Sequence, residues 1–459
     1  MLELAFIPDR ASPVPVYRQL EETLRALIDR GRLSPGLKLP ATRELSASLR
    51  LHRNTVSRAY QDLISEGYLT AHVGQGTFVV ARPPRLVEAP APGADAGEAF
   101  VWSGLFAHRV RDLVLHPGFR RSAAATRRPR ARFCFRGGEV AADALPEKDL
   151  RKAFDRVVSY RLRDLANHLD PRGYAPLRRA IAEHLAMRGV ACGSEDVLVV
   201  NGSQQAIDLL GRVLVDPGDN VAVEQPGYFG ATLAFQACGA NLIGIPVDGD
   251  GIRTDALARV LRKRRLKLAY VTPAAHCPTA ATLGEGRRRA LLQLADEHQM
   301  PVIEDDYDSE LRYAGPPVPA LKGQDNAGRV IHVGTFSKIV FPGLRLGYVV
   351  GPPALLDKLA LARWVSDVQS DVVAQATMAE LLASGGFDRH IRRMRKTYGE
   401  RLGVMREALA EAMPEGTRWT APAGGHLVWI DLPPGVEPEG LAESALEAGV
   451  EYTPGDLFH

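Results

Sequence analysis

Lysine is scarce in this sequence. Of 57 basic residues in a chain of 459, only nine are lysines, so arginine carries nearly all the positive charge. Cysteine is scarcer still. Cys134, Cys192, Cys238 and Cys277 lie far apart with no C-x-x-C spacing, which excludes a zinc ribbon and a disulfide framework and fits a reducing compartment. The N-terminal stretch lacks a basic region followed by an apolar segment of signal length. No apolar run reaches membrane-spanning length, and no internal repeat is visible. The expectation is a soluble cytoplasmic protein with no membrane partner and no metal site. A net charge of +3 is too small to argue for nucleic acid by itself. What remains is ordinary for a globular protein, with 46% hydrophobic and 24% charged residues. The length predicts two or three domains.

Residues 1–80 read as a compact unit. Tyr17, Leu20, Leu24, Leu27 and Ile28 recur at helical spacing, and Gly31 with Ser34-Pro35-Gly36 ends that helix. Thr42 to Leu49 predicts a second short helix. Thr55 to Glu66 predicts a third, with Val56, Ala59, Tyr60, Leu63 and Ile64 on one face. Tyr68 to Val73 and Thr77 to Val80 flank a glycine turn and predict a two-stranded hairpin. Helices followed by a hairpin suggest a winged helix-turn-helix. Its third helix would enter the major groove by its N-terminal end, presenting His52, Arg53, Asn54 and Thr55, with Arg58 one turn on. Arginine can bind guanine bidentately and asparagine adenine. Arg43 can reach a phosphate or a base edge, and Gly74 and Gly76 let backbone approach the duplex. A helical hairpin with merely exposed arginines is the plainer alternative.

Residues 81–136 read as a linker and an arginine-rich arm. The linker, 81–98, is rich in Pro, Ala and Gly. Residues 101–136 hold nine arginines against the single acid Asp112. Either this is a solvated arm or it is a second phosphate-contacting patch.

From residue 137 to 459, short apolar stretches alternate with helical patterns. Val197–Val200, Val221–Glu224, Leu242–Pro246, Lys267–Thr272, Pro301–Glu304, Val330–Val333 and Leu346–Gly351 predict strands. Gln204–Val215 and Glu285–His298 predict helices between them. This argues an α/β domain with a mostly parallel sheet covered on both faces. Longer helices are expected over 353–413, and a strand over His426–Leu432.

Four points along this stretch suit pyridoxal 5'-phosphate. The cofactor needs an amine for its aldehyde, and Ser337-Lys338 at the end of an apolar run offers one. Its ring nitrogen needs a carboxylate, and Asp305 follows a buried-looking strand, with Tyr307 able to bond the phenolic oxygen. Its phosphate needs N–H groups and a forked cation. Ser203 and Gln204 open a helix after a glycine, and Arg345 completes the set. Tyr228 offers a ring to stack on the cofactor. Taken singly, each element has a structural alternative: an N-cap, a turn or a core tyrosine.

The order of these motifs carries a resemblance. Leu39-Pro-Ala-Thr-Arg-Glu-Leu45, Arg53-Asn-Thr-Val56, Glu66-Gly-Tyr-Leu69 and Gly74-Gln-Gly-Thr-Phe-Val79 resemble the GntR-type winged helix. Gly173-Tyr-Ala-Pro-Leu-Arg178, Asn201–Gln205, Pro226-Gly-Tyr228, Glu304-Asp-Asp-Tyr-Asp-Ser-Glu310 and Ser337-Lys338 with Pro342-Gly-Leu-Arg345 resemble fold-type I aminotransferases. The whole resembles MocR-type regulators, in which the two are joined by a linker. The resemblance implies a transcription regulator that holds pyridoxal phosphate as an aldimine on Lys338. Such a protein couples the cofactor, or an amino-acid or amine effector, to binding of a double-stranded DNA operator, usually as a head-to-tail homodimer. A working aminotransferase carrying a DNA-binding domain is the alternative, and a cofactor-free scaffold is a third.

The sequence departs from the pattern in three places. His52 stands where Ser or Thr often caps the recognition helix. Cys277 stands where aminotransferases place an asparagine on the phenolic oxygen, and a thiol is a weak donor. The neighbouring His276 either points at the cofactor or fills its loop. The chain stops at His459, before the strand whose arginine grips a substrate carboxylate. The expectation is either a fragment or an incomplete small domain with compromised amino-acid binding and only incidental turnover.

Overall fold

The computed structural model describes residues 6, 8–9, 12, 14–72, 75–80, 106–107, 110, 131–167, 169–436, 438 and 440–459. They belong to two compact units, Met1–Trp102 and Ser103–His459.

In the first unit three helices, α1 (Val16–Asp29), α2 (Thr42–Leu49) and α3 (Arg53–Ser65), pack on a three-stranded sheet. The helical spacing of α1 puts Leu20, Leu24 and Ile28 on one face. They bury against Leu45 of α2 and against Val56, Ala59 and Leu63 of α3. Tyr60 joins this core and donates its hydroxyl to Pro40 O at 3.0 Å, so its polar tip is satisfied. The sheet holds one strand more than the expected hairpin. Besides β2 (Leu69–His72) and β3 (Gly76–Val79), β1 (Lys38–Leu39) pairs with Phe78 and Thr77. Two residues carry no readable alternation, which is why the sequence pattern passes over this strand.

The second unit is built on an eight-stranded sheet in the order β5-β12-β11-β10-β9-β6-β7-β8. The strands are β5 (Val197–Val200), β6 (Asn220–Gln225), β7 (Asn241–Asp248), β8 (Gly251–Ile252), β9 (Leu268–Val271), β10 (Val302–Asp306), β11 (Val330–Thr335) and β12 (Gly347–Val350). Pairing is parallel from β11 through β7, while β12 is antiparallel to both of its neighbours. The central strands are buried without alternation because helices cover both faces. Within β5, Val197 and Val199 join the core of the helices Ala175–Ala186 and Val372–Ala383. Leu198 and Val200 join that of Ser203–Leu214 and Pro353–Asp367. The carboxyl ends of β5, β6, β10 and β11 therefore emerge along one edge of the sheet, where α/β folds place ligands.

Two features revise the sequence reading of this unit. Phe133–Phe135, within the segment read as the arginine-rich arm, forms β4 and pairs in parallel with Val450–Tyr452. Arg132 lies over the Phe133 ring, and Arg136 pairs with Glu451 and Glu139. The other seven arginines of the arm lie outside the described residues. The strand expected at His426–Leu432 shrinks to Ile430–Asp431, paired with Arg418–Trp419. Its donors are taken elsewhere. The His426 N–H goes to Asp308 Oδ2 at 3.3 Å and the Trp429 N–H to Thr420 Oγ1 at 2.9 Å. No helix among the described residues is long and apolar enough to cross a membrane.

Candidate functional site

The acidic run at the end of β10 is sorted by the strand's period of two. Glu304 turns to one side, where its carboxylate accepts the N–H groups of Leu321 (2.6 Å) and Lys322 (2.9 Å) and lies 3.0 Å from His332 Nδ1. Asp306 lies on the same side, 2.7 Å from Arg188 Nη2. Burial opposes its ionisation, but Arg188 and His332 hold it at about 2. These two acids belong to the scaffold. Asp305 turns the other way. Its Oδ2 accepts the Tyr270 hydroxyl at 2.6 Å, while its buried Oδ1 has no partner. Burial pushes this carboxyl up to about 6, against the pull of the Tyr270 hydrogen bond. The hydroxyl of Tyr307, two residues on, is likewise buried without a partner.

Lys338 follows the end of β11 by three residues, and Ser337 before it is buried with its N–H on Thr335 Oγ1 at 3.2 Å. The Lys338 amine donates to Gly138 O at 2.7 Å. Burial lowers its pKa, and Cys277, Asp308 and Asp305 oppose that shift. An amine lowered in this way is a better nucleophile near neutral pH.

The turn after β5 leads into the helix Ser203–Leu214. Gly202 has φ +82°, and a Cβ there would stand 3.2–3.4 Å from the Arg345 guanidinium. Arg345 comes from the turn before β12 and donates Nη2 to Asn201 O at 2.8 Å. Distant parts of the chain thus form one cradle of helix N–H groups and a forked cation, suited to an anion. Gln204 receives the Tyr228 hydroxyl on Oε1 at 3.0 Å and donates Nε2 to Gly230 O at 2.8 Å, so its side chain ties down the Tyr228 loop.

His276, left open by the sequence, fills its own loop. It is buried, and Nδ1 lies 2.7 Å from Thr279 Oγ1 and accepts the Thr279 N–H at 3.3 Å. Burial lowers its pKa to about 4. Glu224, 3.6 Å away, is pushed up to about 8 by burial despite accepting both donors of Thr272. Burial also raises the Cys277 thiol, so this position faces the site as a neutral group.

In the first unit, His52 performs the capping that its residue type put in doubt: Nδ1 accepts the Asn54 N–H at 3.2 Å. Arg53 and Asn54 lie in the first turn of α3 and are exposed, and Arg43 lies in the first turn of α2. Thr55 follows, half-buried, its N–H on His52 O. Arg58 stacks its guanidinium 4.1 Å from the Tyr17 ring centroid, which ties α3 to α1. Gly76 has φ +115°, and Gly74 lies outside the described residues.

Two family models match this chain. Bacterial regulatory proteins of the gntR family match residues 16–79, and aminotransferase class I and II matches residues 139–459. The probable rhizopine catabolism regulatory protein MocR of Rhizobium meliloti is 37% identical over 98% of this chain and 89% of its own length. The chain belongs to the MocR-type regulators of the GntR superfamily. Another relative, the HTH-type transcriptional regulator TauR of Rhodobacter capsulatus, is 34% identical over 96% of this MocR-type chain and 89% of its own. Among solved structures, the α-aminoadipate aminotransferase LysN of Thermus thermophilus superposes with a TM-score of 0.72 at 33% identity. It covers 78% of this chain and 90% of its own, and was solved with N-(5'-phosphopyridoxyl)-L-leucine. Aminotransferase domains of this fold type depend on pyridoxal phosphate.

The residues of this MocR-type chain fit that group by their own geometry. The partnerless Asp305 Oδ1 suits a protonated ring nitrogen, Tyr307 has a free hydroxyl, the Gly202 and Arg345 cradle suits a phosphate, and Lys338 brings an amine. Two neighbours escape a sequence reading: Tyr270 and Gly138. Neither has a local motif, and each comes to the site through strand pairing or a distant loop. Gly138 is testable. It has φ +76°, and a Cβ there would stand 2.5 Å from Lys338 Nζ. Gly138→Ala should destabilise the protein by roughly 1–3 kcal/mol and displace the amine from its carbonyl partner. Thermal melts and a cofactor titration check this, with both melting temperature and cofactor capture expected to fall.

Proposed function

We propose that this protein is a pyridoxal-phosphate-dependent transcription regulator in which the second unit senses the cofactor, or an amine that reacts with it, and the winged helix reads an operator. The observation that carries this reading is the union, in one chain, of a GntR-type winged helix with an aminotransferase fold whose lysine, carboxylate and phosphate cradle are all present. Pyridoxal phosphate, when bound, supplies an electrophilic aldehyde that accepts primary amines.

The chain's own residues do the rest. Lys338 brings the amine to which the aldehyde attaches. Asp305 holds a proton on the ring nitrogen, and Tyr307 donates to the phenolic oxygen. Ser203, Gln204 and Arg345 bind the phosphate, with Ser337 fixing the entry to Lys338 and the Tyr228 ring covering one face. An amine effector that displaces Lys338 shifts the regulator only if it favours one arrangement of the protein over the other. In this reading the protein acts in the cytoplasm as a head-to-tail homodimer, and transaminase turnover is incidental.

On the DNA side, Arg53, Asn54 and Thr55 meet the major groove, with Arg43 and the Gly74–Gly76 tip alongside. His52 caps the recognition helix, and Arg58 braces it through Tyr17. Arg53→Ala should weaken binding to a promoter fragment by roughly 1–3 kcal/mol, whereas Arg58→Ala acts more through stability. Fluorescence anisotropy with and without pyridoxal phosphate tests both halves. Wild-type affinity unaffected by the cofactor and by a panel of amines would reject the coupling, and unchanged binding in Arg53→Ala would reject the placement of α3.

A further inference from the structure

The phosphate turn is held from behind by a single carboxylate that no sequence motif marks. Asp367 closes the helix Pro353–Asp367. Its Oδ2 accepts the Asn201 side-chain amide at 2.6 Å and the Gln205 side-chain amide at 2.5 Å. Gln205 Oε1 in turn accepts the Asn201 N–H at 2.7 Å. One helical turn earlier, Arg363 is fully buried, donates to Val199 O in β5, and has its Nε 3.8 Å from Asp367 Oδ1. A residue pair four apart on one helix thus grips both the strand that leads into the turn and the turn itself.

This grip decides which donors the turn offers. The Asn201 N–H is spent on Gln205, the Gly202 N–H on Val200 O, and the Gln205 N–H on Gly202 O. The N–H groups of Ser203 and Gln204, at the first two positions of the helix, have no intrahelical acceptor. They remain for an anion. The Asn201 carbonyl also receives Arg345 Nη2, so the orientation of that peptide sets where the guanidinium stands.

We infer that Asp367 is a positioning residue for phosphate recognition: through Asn201 and Gln205 it aims the Ser203 and Gln204 N–H groups and the Arg345 fork at one point. The inference rests on the reading that this turn takes the cofactor's phosphate. Asp367 itself need not touch the phosphate. It works by fixing two amides whose rotation would unmake the cradle.

The test compares pyridoxal phosphate with pyridoxal, which has the same ring and aldehyde but no phosphate. Full-length protein stripped of cofactor is titrated with each, following absorbance. Asp367→Ala should raise the Kd for pyridoxal phosphate by about tenfold or more while changing that for pyridoxal by about threefold or less. Asp367→Asn keeps the volume and one acceptor oxygen, so it should show the same selective loss to a smaller degree with little change in melting temperature. It also serves as the decisive variant if the alanine form does not fold. Equal losses for both ligands in Asp367→Asn, or no loss for either, would overturn the inference. A wild-type protein that does not prefer the phosphorylated ligand would instead refute the assignment of the turn, and that result appears before any variant is made.

Discussion

Lys338→Ala is expected to abolish retention of pyridoxal phosphate through dialysis and the visible absorbance of the attached cofactor. Of the nine lysines in the chain, this one approaches both Asp305 and Asp308 in a buried setting, and its amine is held in place by Gly138 O. Removing it deletes the nucleophile but leaves the phosphate cradle and the Asp305 carboxylate, so a weaker, dialysable affinity should remain. Lys338→Arg separates charge from chemistry: it keeps a cation in the site but offers no amine able to attach. Both variants should therefore lose the band, while operator binding in the absence of cofactor should persist because the winged helix has its own core. A band that survives Lys338→Ala would mean that another lysine carries the cofactor. That result would sink the central assignment even if DNA binding were unchanged.

Asp305→Asn should act in opposite directions on stability and on cofactor binding. In the cofactor-free protein the carboxyl is buried and its pKa is raised from 3.8 to about 6. A raised carboxyl pKa means that the folded state holds its proton longer than the unfolded chain does. The favourable contribution is complete below about pH 4 and is lost as pH rises through about 6, so near neutral pH the ionised group costs up to about 3 kcal/mol. An amide titrates nowhere in this range, and it can still accept the Tyr270 hydroxyl. The cofactor-free variant should therefore melt higher than wild type at pH 7, with the gap closing as pH falls toward 4. Binding should suffer, because a neutral amide cannot hold the proton on the ring nitrogen. Losing a charge-assisted hydrogen bond of roughly 1.5–3 kcal/mol corresponds to a Kd raised about 10- to 150-fold. Melts from pH 4.5 to 7.5 and a titration of each protein measure the two effects. A variant that is less stable at pH 7 and binds the cofactor as tightly as wild type would contradict both arguments.

This pairing of costs follows the usual economy of functional sites. A buried carboxylate with one oxygen left unpartnered is a liability to the fold and an asset to a cationic ligand. The same trade is visible at Tyr307, whose hydroxyl is buried without a partner. Glu304 has both oxygens engaged by backbone N–H groups, and Asp306, one of whose oxygens is also unpartnered, is held ionised by Arg188.

Much was legible in the sequence because it is local. The winged helix announces itself through the apolar spacing of α1 and α3, whose buried faces are a property of the helix period alone. The α/β body shows in runs such as Val197–Val200, since a strand covered on both faces is built mostly of apolar residues. The extent of the last strand was not legible. His426–Leu432 has the composition of a strand, but the His426 N–H finds Asp308, 118 positions away, and the Trp429 N–H finds the Thr420 side chain, so only Ile430–Asp431 pair with a neighbouring strand.

By itself the sequence determined the two-part architecture and the MocR-type family, and it put forward the groups proposed to hold pyridoxal phosphate. Those depend on residue type, period and order, which are written along the chain. Tertiary structure decided which groups are free to act. It sorted three successive acids so that only Asp305 faces the site with a spare oxygen, and it put the Arg58 guanidinium on Tyr17. It also brought Gly138 to Lys338 across 200 positions and Asp367 to Asn201 across 166. The physical reason is that availability is set by burial and by competing hydrogen-bond partners. Both belong to neighbours in space, which the order of residues does not name.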